Sequence, residues 1–97
     1  MPMTVIVSRD VVPRFRGFLA SCLLEVAPGV YVSPHMNSGV RERVWSVMED
    51  WFEEAGGGSL VLVWREKGLP GGQGIKTLGT PPISLVDLDG VILSRRK

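Results

Sequence analysis

The sequence predicts an α+β domain of ferredoxin-like plan, with two helices on one face of a mainly antiparallel sheet. Three observations lead to this prediction. The chain has 97 residues, which suits a single domain over 1–97. Hydrophobic residues make up 44% of it, which favours a folded core over disorder. Apolar patterns follow one another in the order strand, helix, strand, helix, strand, strand, and two helices can cover only one face of such a sheet.

β-Branched residues and a helical apolar stripe organise the first third of the chain. Residues 3–8 are rich in valine and isoleucine and predict a strand. Pro13 suits the first position of a helix, whose apolar face continues to a break at residues 27–29. Residues 30–32 predict a short second strand, and Cys22 is expected to be a small core residue. The face of this helix is predicted to contain Phe15, Phe18, Leu19, Cys22, Leu23 and Val26.

A second apolar stripe and several glycine-rich breaks organise the rest of the chain. Ser38 is the predicted N-cap of a second helix, and residues 60–64 form a continuous apolar strand. Residues 68–74 contain four glycines and a proline, which predicts a mobile hairpin loop before a strand at 75–78. Residues 91–93 predict a terminal strand ahead of a frayed basic tail. The stripe of the second helix contains Val40, Val44, Val47, Met48, Trp51 and Phe52.

Two of the predicted strands, at 5–7 and 60–64, are apolar on both sides. Strands with this pattern normally have both faces buried. A bare apolar sheet face would be an unusually large exposed patch. We therefore predict a homodimer in which two copies pack sheet against sheet about a two-fold axis.

Charge and cysteine content limit the classes of partner and compartment. The formal net charge is only +1, so any surface for nucleic acid must come from local clusters of arginine and lysine. The single cysteine cannot form an internal disulfide, which favours a reducing compartment. The first residues lack a signal-peptide pattern, and no apolar run approaches the roughly 20 residues that span a bilayer. These features predict a cytoplasmic protein with no membrane partner.

The most informative stretch is the junction between the first strand and the first helix, residues 8–16. Arg14 and Arg16 are predicted to flank the first turn, about 100° to either side of Phe15. A helix start carries free N–H groups and partial positive charge, and guanidinium matches phosphate oxygens in bidentate geometry. Both arginines are therefore candidates for binding nucleic-acid phosphates. The alternative is a solvated pair, with one arginine bonded to Glu25 or Glu42.

Acidic residues supply the candidates for metal binding and catalysis. Asp10 closes the first strand and is a candidate ligand for Mg²⁺, which often uses one or two carboxylates plus waters. The alternative is an aspartate that caps the first helix. Asp87 and Asp89 alternate along a strand, so they either share a metal or form a solvated edge that ends in an Asp-Gly turn. His35 is the only histidine, and without a cysteine cluster it does not predict zinc.

Aromatic residues and the outer face of the second helix are assigned to other roles. Trp51 and Trp64 fall on predicted buried positions, so packing is favoured over stacking on bases. The acidic outer face of the second helix is expected to point away from any phosphate backbone. That face contains Glu42, Glu49, Asp50, Glu53 and Glu54.

Three segments carry a resemblance to a known family. They are Pro-Arg-Phe-Arg-Gly at 13–17, the stretch from Glu25 to Val32 with its Gly-Val-Tyr-Val ending, and Val-Asp-Leu-Asp-Gly at 86–90. Together they resemble the small CRISPR-associated protein family 2 in its subtype I-E form, over nearly the whole chain. The resemblance implies a ferredoxin-like fold and a two-fold dimer formed by sheet packing.

The resemblance also implies a function. Relatives are non-catalytic scaffold subunits of the spacer-acquisition complex, where the dimer bridges integrase subunits and holds double-stranded DNA. Arg14 and Arg16 would then bind the DNA backbone. Residues 80–97 would form the segment that docks on the integrase, with Val86, Asp87, Leu88 and Asp89 as the docking residues.

Two departures from the family pattern concern the chemistry. The first strand ends in Arg9-Asp10, where relatives often carry the acidic residue linked with nuclease activity. Close relatives have an Arg-Arg pair where this chain has Pro82-Ile83. The alternative function is a Mg²⁺-dependent endonuclease of RNA or DNA, with Asp10 from both copies as the catalytic and metal-binding residue. Cleavage that requires Mg²⁺ and is lost in Asp10→Asn would favour it.

Overall fold

The computed structural model describes residues 3–79, 83–88 and 91–96, which contain two α-helices and seven β-strands. A single turn of 3₁₀-helix at Pro70–Gly72 links the fourth and fifth strands. The elements are β1 (Thr4–Arg9), α1 (Pro13–Cys22), β2 (Leu24–Ala27), β3 (Val30–Ser33), α2 (Ser38–Glu54), β4 (Ser59–Arg65), β5 (Gln73–Leu78), β6 (Ile83–Leu88) and β7 (Val91–Arg96).

Five of the strands form one antiparallel sheet in the order β2-β3-β1-β4-β5. In its centre, Ile6 lies opposite both Tyr31 and Leu62. β6 and β7 form a separate antiparallel pair. From β1 to β4 the order of elements is strand, helix, strand, strand, helix, strand. The predicted α+β class is therefore confirmed, and the topology is compatible with the ferredoxin-like plan.

The core lies between the two helices and one face of the sheet. Burial alternates along β1 and β4, because successive side chains of a strand point to opposite faces. Burial of each large apolar side chain contributes about 1.5–3 kcal/mol. Neither helix in the described ranges is long and apolar enough to cross a membrane. The buried cluster contains Ile6, Phe15, Leu19, Leu23, Tyr31, Met36, Val44, Trp45, Met48, Leu60, Leu62 and Trp64.

The opposite face of the sheet is apolar too, and the helices do not cover it. The register places its side chains together, because Val5 lies opposite Val32 and Val63, and Val7 lies opposite Val30 and Val61. None of these residues is fully buried. The prediction that the strands are apolar on both faces is therefore confirmed, whereas the dimer stays a prediction. The valine face, as we call it, consists of Val5, Val7, Val30, Val32, Val61, Val63 and Ile75.

The first helix is shorter than its apolar stripe predicts. It ends at Cys22, and residues 24–27 form the edge strand β2, in which Val26 is exposed. The prediction of a buried Cys22 is wrong, because the thiol lies on the exposed side of the last helical turn. β2 pairs with β3 through a tight turn at Gly29, whose φ of 79° is a left-handed conformation that suits glycine. A hairpin therefore replaces the last predicted turn of helix.

The second half differs from the sequence prediction at three chain boundaries. Asn37, not Ser38, is the N-cap of α2, and its Oδ1 accepts a hydrogen bond of 2.8 Å from the Val40 N–H. The predicted loop at 68–74 is shorter, because β5 already begins at Gln73. β7 continues to Arg96, so much of the tail predicted to be frayed is strand.

A buried arginine ties α2 to the end of β4. The Arg41 side chain is almost fully buried, and its guanidinium carbon lies 4.2 Å from the centroid of the Trp64 ring. Carboxylates of Glu42 and Glu66 lie 3.5 and 3.9 Å from its Nη2. Trp64 Nε1–H donates to Glu66 at 2.9 Å. Paired carboxylates offset the desolvation of the buried guanidinium, which allows a charge at this position.

Close packing of Trp64 generates the first prediction. A Cβ atom at Gly74 would overlap the Trp64 ring from the neighbouring strand. Gly74→Ala is expected to lower the free energy of unfolding by about 2 kcal/mol, because the ring has to move within a packed core. The measurement is urea unfolding followed by tryptophan fluorescence.

Gly68→Ala is the matched control, because a Cβ at Gly68 meets no atom within 4 Å. It is expected to change the free energy of unfolding by no more than about 0.5 kcal/mol. Equal midpoints for Gly74→Ala and the unmodified protein would contradict the placement of Trp64.

Candidate nucleic-acid interface

The end of β1 opens into a shallow depression of about 280 Å³. This is the junction between strand and helix that the sequence singled out. Arg16 contributes to it from α1, and Arg9 and Asp10 contribute from the end of β1. All three of these residues are exposed. The depression is lined by Ser8, Arg9, Asp10, Val11, Arg16, Pro28 and Gly29.

Backbone contacts with two glycines fix the end of β1. The Ser8 N–H and Oγ–H both donate to the Gly29 carbonyl, at 2.7 and 3.2 Å. On the other side, Gly58 lies so close to the carbonyl oxygens of Arg9 and Asp10 that a Cβ there would collide with them. Asp10 itself has φ of 56°, the one positive φ among described residues other than glycine. The chain thus turns sharply out of the sheet before the helix begins.

The start of α1 has no side-chain cap. Val12 is the N-cap residue, and no side chain accepts a hydrogen bond from the first turn. Pro13 brings no N–H to that turn, and the first turn holds no acidic residue. The capping role considered for Asp10 is therefore wrong. No acidic side chain of the first turn therefore neutralises the positive end of the helix dipole, and arginines lie beside it.

Arg16 lies on the side of the helix that faces the hairpin of β2 and β3. Its side chain is 56% exposed, and its Nη2 lies 3.9 Å from Glu25 Oε2. The same carboxylate oxygen accepts a hydrogen bond of 3.1 Å from the Gly29 N–H. The pairing with Glu25 that the sequence raised as an alternative is present, at a distance that makes it weak. Arg16 therefore keeps most of its surface available to a ligand.

Arg14 points to the C-terminal end of α2. Its Nη2 donates to Glu54 Oε2 at 3.1 Å, and its side chain is 47% exposed. Its guanidinium carbon lies 4.4 Å from the centroid of the Trp51 ring. The sequence missed both partners, because each lies far along the chain. It also placed the acidic face of α2 away from any phosphate-binding surface, and Glu54 is an exception to that expectation.

A buried tyrosine hydroxyl lies behind Arg16. Tyr31 is fully buried, and its hydroxyl has no hydrogen-bond partner of good geometry among the described residues. Burial raises the pKa of Tyr31, the nearby Arg16 guanidinium acts in the opposite direction, and the Glu25 carboxylate raises it further. The sequence did not single out this residue. Its hydroxyl is thus a buried polar group behind the candidate interface, with no hydrogen-bond partner among the described residues.

The junction suits an anion better than a metal ion. Asp10 is the single carboxylate that lines the depression, and it shares it with Arg9 and Arg16. Within residues 3–79, 83–88 and 91–96, no group of three or more histidine, cysteine, aspartate or glutamate side chains is arranged to hold a metal ion. One chain therefore brings a single carboxylate to the depression, and a second carboxylate at this position would have to come from another copy.

The remaining candidates are scattered over the fold. Trp64 is buried, as predicted, and Trp51, predicted to be buried, is half-buried; Trp45 is buried as well. His35 is exposed in a loop. Of the docking residues that the resemblance implies, Val86, Asp87 and Leu88 lie in β6, and Asp89 lies outside the described residues.

A comparison with protein families shows which family the chain belongs to. The family described as CRISPR-associated protein (Cas_Cas2CT1978) matches residues 3–93. The chain belongs to this CRISPR-associated family. The match spans the whole five-stranded sheet, both helices and the junction with Arg14 and Arg16. The resemblance stated from sequence is thus confirmed for CRISPR association, and subtype I-E stays a prediction.

The environment of Tyr31 in this CRISPR-associated protein generates the second prediction. The phenol is expected to ionise only above its ordinary pKa of 10.0, because burial disfavours the phenolate. A raised pKa means that the unfolded chain loses its proton first. The contribution of Tyr31 to the free energy of unfolding should therefore be fully present below pH 10. It should be lost as the pH rises through the pKa of Tyr31 in the folded protein.

The measurement is ultraviolet difference absorbance of tyrosinate, since the chain has one tyrosine. A second titration in urea gives the unfolded reference. Coincident curves in the two conditions would show that the hydroxyl is exposed to solvent in the folded protein.

Proposed function

We propose that this CRISPR-associated protein is a non-catalytic scaffold subunit of the spacer-acquisition complex, which binds the backbone of double-stranded DNA and bridges integrase subunits. One observation carries the proposal. The start of α1 presents Arg14 and Arg16 at the surface, at a junction whose backbone is fixed by Gly29 and Gly58. Membership of the family supports the CRISPR context.

The chemistry of the junction favours phosphate over base edges. Arg14 and Arg16 stand on the first turn of a helix, where the positive end of the dipole also attracts anions. Arg9 adds a third positive charge at the rim of the depression. Contacts of this type position a duplex without reading its sequence. Binding should therefore be insensitive to sequence and steeply weakened by salt.

The valine face supports a dimer as the working unit of the scaffold. An uncovered surface of seven β-branched side chains favours association with an identical surface, since isologous packing buries both copies at once. A two-fold axis through that contact would present two sets of Arg14 and Arg16. Such a pair of sites is what a subunit at the middle of a duplex requires.

The hairpin of β6 and β7 supports docking on an integrase subunit. It forms a two-stranded sheet separate from the main one, and its exposed side chains include Val91 and Leu93. Exposed apolar residues on a hairpin suit contact with a protein partner. Val91 and Leu93 lie on β7, and the proposed docking residues Val86, Asp87 and Leu88 lie on β6, which pairs with it.

The endonuclease alternative has less support from the described residues. It requires Mg²⁺ at Asp10, and one chain brings a single carboxylate to a depression that two arginines also line. A second Asp10 carboxylate could reach the metal ion only from the other copy of a dimer. We therefore favour the scaffold.

The third prediction tests the arginines. The double variant Arg14→Ala/Arg16→Ala is expected to bind duplex DNA about tenfold more weakly or worse, because charge-assisted hydrogen bonds to phosphate are lost. The slope of log affinity against log salt concentration should shrink by about 0.9 for each phosphate contact removed. Fluorescence anisotropy with a labelled duplex, at several salt concentrations, measures both.

Arg43→Ala is the control, since Arg43 is an exposed arginine of α2 whose side chain donates to the Gly39 carbonyl. It removes one positive charge from another surface, whereas the double variant removes two. Equal affinity of the double variant and the unmodified protein would remove Arg14 and Arg16 from the interface.

The fourth prediction tests the dimer. Val7 and Val61 are neighbours on adjacent strands of the valine face. Val7→Lys/Val61→Lys is expected to convert the dimer to a monomer, because association would bury unpaired ammonium groups. Sedimentation equilibrium at micromolar concentration measures the mass, and Ser46→Lys on the exposed side of α2 is the control. An unmodified protein that sediments as a monomer would contradict the proposal.

A further inference from the structure

The ion pair between Arg14 and Glu54 occupies one of the two proposed DNA-binding arginines. Nη2 of Arg14 and Oε2 of Glu54 are 3.1 Å apart, and both side chains are about half exposed or more. Exposed pairs of this kind contribute little to stability, because water screens them and two long side chains lose freedom. Stability of the fold alone therefore does not account for the pair.

Each of the two charged side chains lies at the end of its own helix that carries partial charge of the same sign. Arg14 is in the first turn of α1, where partial positive charge accumulates, and Glu54 is the last residue of α2, where partial negative charge accumulates. Each side chain is unfavourable for its own helix. Their contact relieves both repulsions, so it is strongest when no other anion is near Arg14.

Trp51 holds the guanidinium in place for either partner. The ring lies 4.4 Å from the guanidinium carbon, and it is itself packed edge-on against Phe15 and Phe18. A guanidinium stacked by its face still offers its N–H edge. Glu54 takes that edge with a carboxylate oxygen, and a phosphate oxygen would require the same edge.

We propose that Glu54 is a built-in competitor for the DNA phosphate at Arg14, and that Trp51 presents the guanidinium to whichever anion occupies it. The inference rests on the proposed function, because it assumes that Arg14 binds the DNA backbone. Each subunit must give up the Arg14–Glu54 contact when it binds DNA. The affinity for duplex is therefore lower than the arginines alone would supply, which limits retention on DNA that the complex does not use.

The fifth prediction compares two neighbouring glutamates. Glu54→Gln is expected to tighten binding of a labelled duplex about two- to fivefold, the factor that corresponds to an exposed ion pair. Glu53→Gln makes the same change in net charge, and the described residues show no ion pair for Glu53. It should give a clearly smaller change. Anisotropy titrations on the 97-residue chain at one fixed salt concentration measure both.

Two further variants separate contact from charge. Glu54→Asp keeps the charge but shortens the side chain, so it should reproduce much of the gain of Glu54→Gln. In an Arg14→Ala background, Glu54→Gln should give no more gain than Glu53→Gln. Circular dichroism confirms that each variant is folded, which is expected for exposed substitutions.

The possible results discriminate clearly between the two proposals. Equal affinities for Glu54→Gln and Glu53→Gln, or weaker binding by Glu54→Gln, would overturn the competitor role while the loss in Arg14→Ala/Arg16→Ala still supported the DNA interface. Unchanged binding in that double variant would instead overturn the proposed function itself.

Discussion

The sharp turn of the chain at the end of β1 is the constraint on which the rest of the candidate interface depends. Ser8 is hydrogen-bonded to Gly29 on one side, and the carbonyls of Arg9 and Asp10 lie against Gly58 on the other. Because side chains larger than hydrogen would collide at Gly58, the backbone can approach this closely only at a glycine. This arrangement sets where α1 begins, and hence where its two arginines stand.

The sequence predicted the layers of the fold better than its boundaries. Alternating burial in β1 and β4 follows directly from residue type, so the sheet and its apolar outer face were foreseeable. The end of α1 was not, because Leu23 and Val26 continue a helical period by coincidence while residues 24–27 form an edge strand. Pairing with β3 decided the outcome, and such pairing between strands cannot be deduced from periodicity alone.

For the candidate site, sequence reasoning located the arginines but not their surroundings. Arg14 and Arg16 were predictable because charge, helix start and spacing are local properties. Glu54 and Trp51 were not, since they reach Arg14 only after α2 packs beside α1. For Asp10, the local pattern suggested a role that the structure does not show. Its position suggested a cap, yet the chain makes a left-handed turn at Asp10 and the N-cap is Val12.

The helical layer and the valine face lie on opposite sides of the sheet. The arginines, Trp51 and Glu54 belong to the helical layer, whereas the seven valine-face residues point the opposite way. Distant substitutions without shared neighbours act nearly independently. Substitutions in the helical layer could therefore change the proposed DNA affinity without affecting the proposed dimer contact, and substitutions on the valine face could do the reverse.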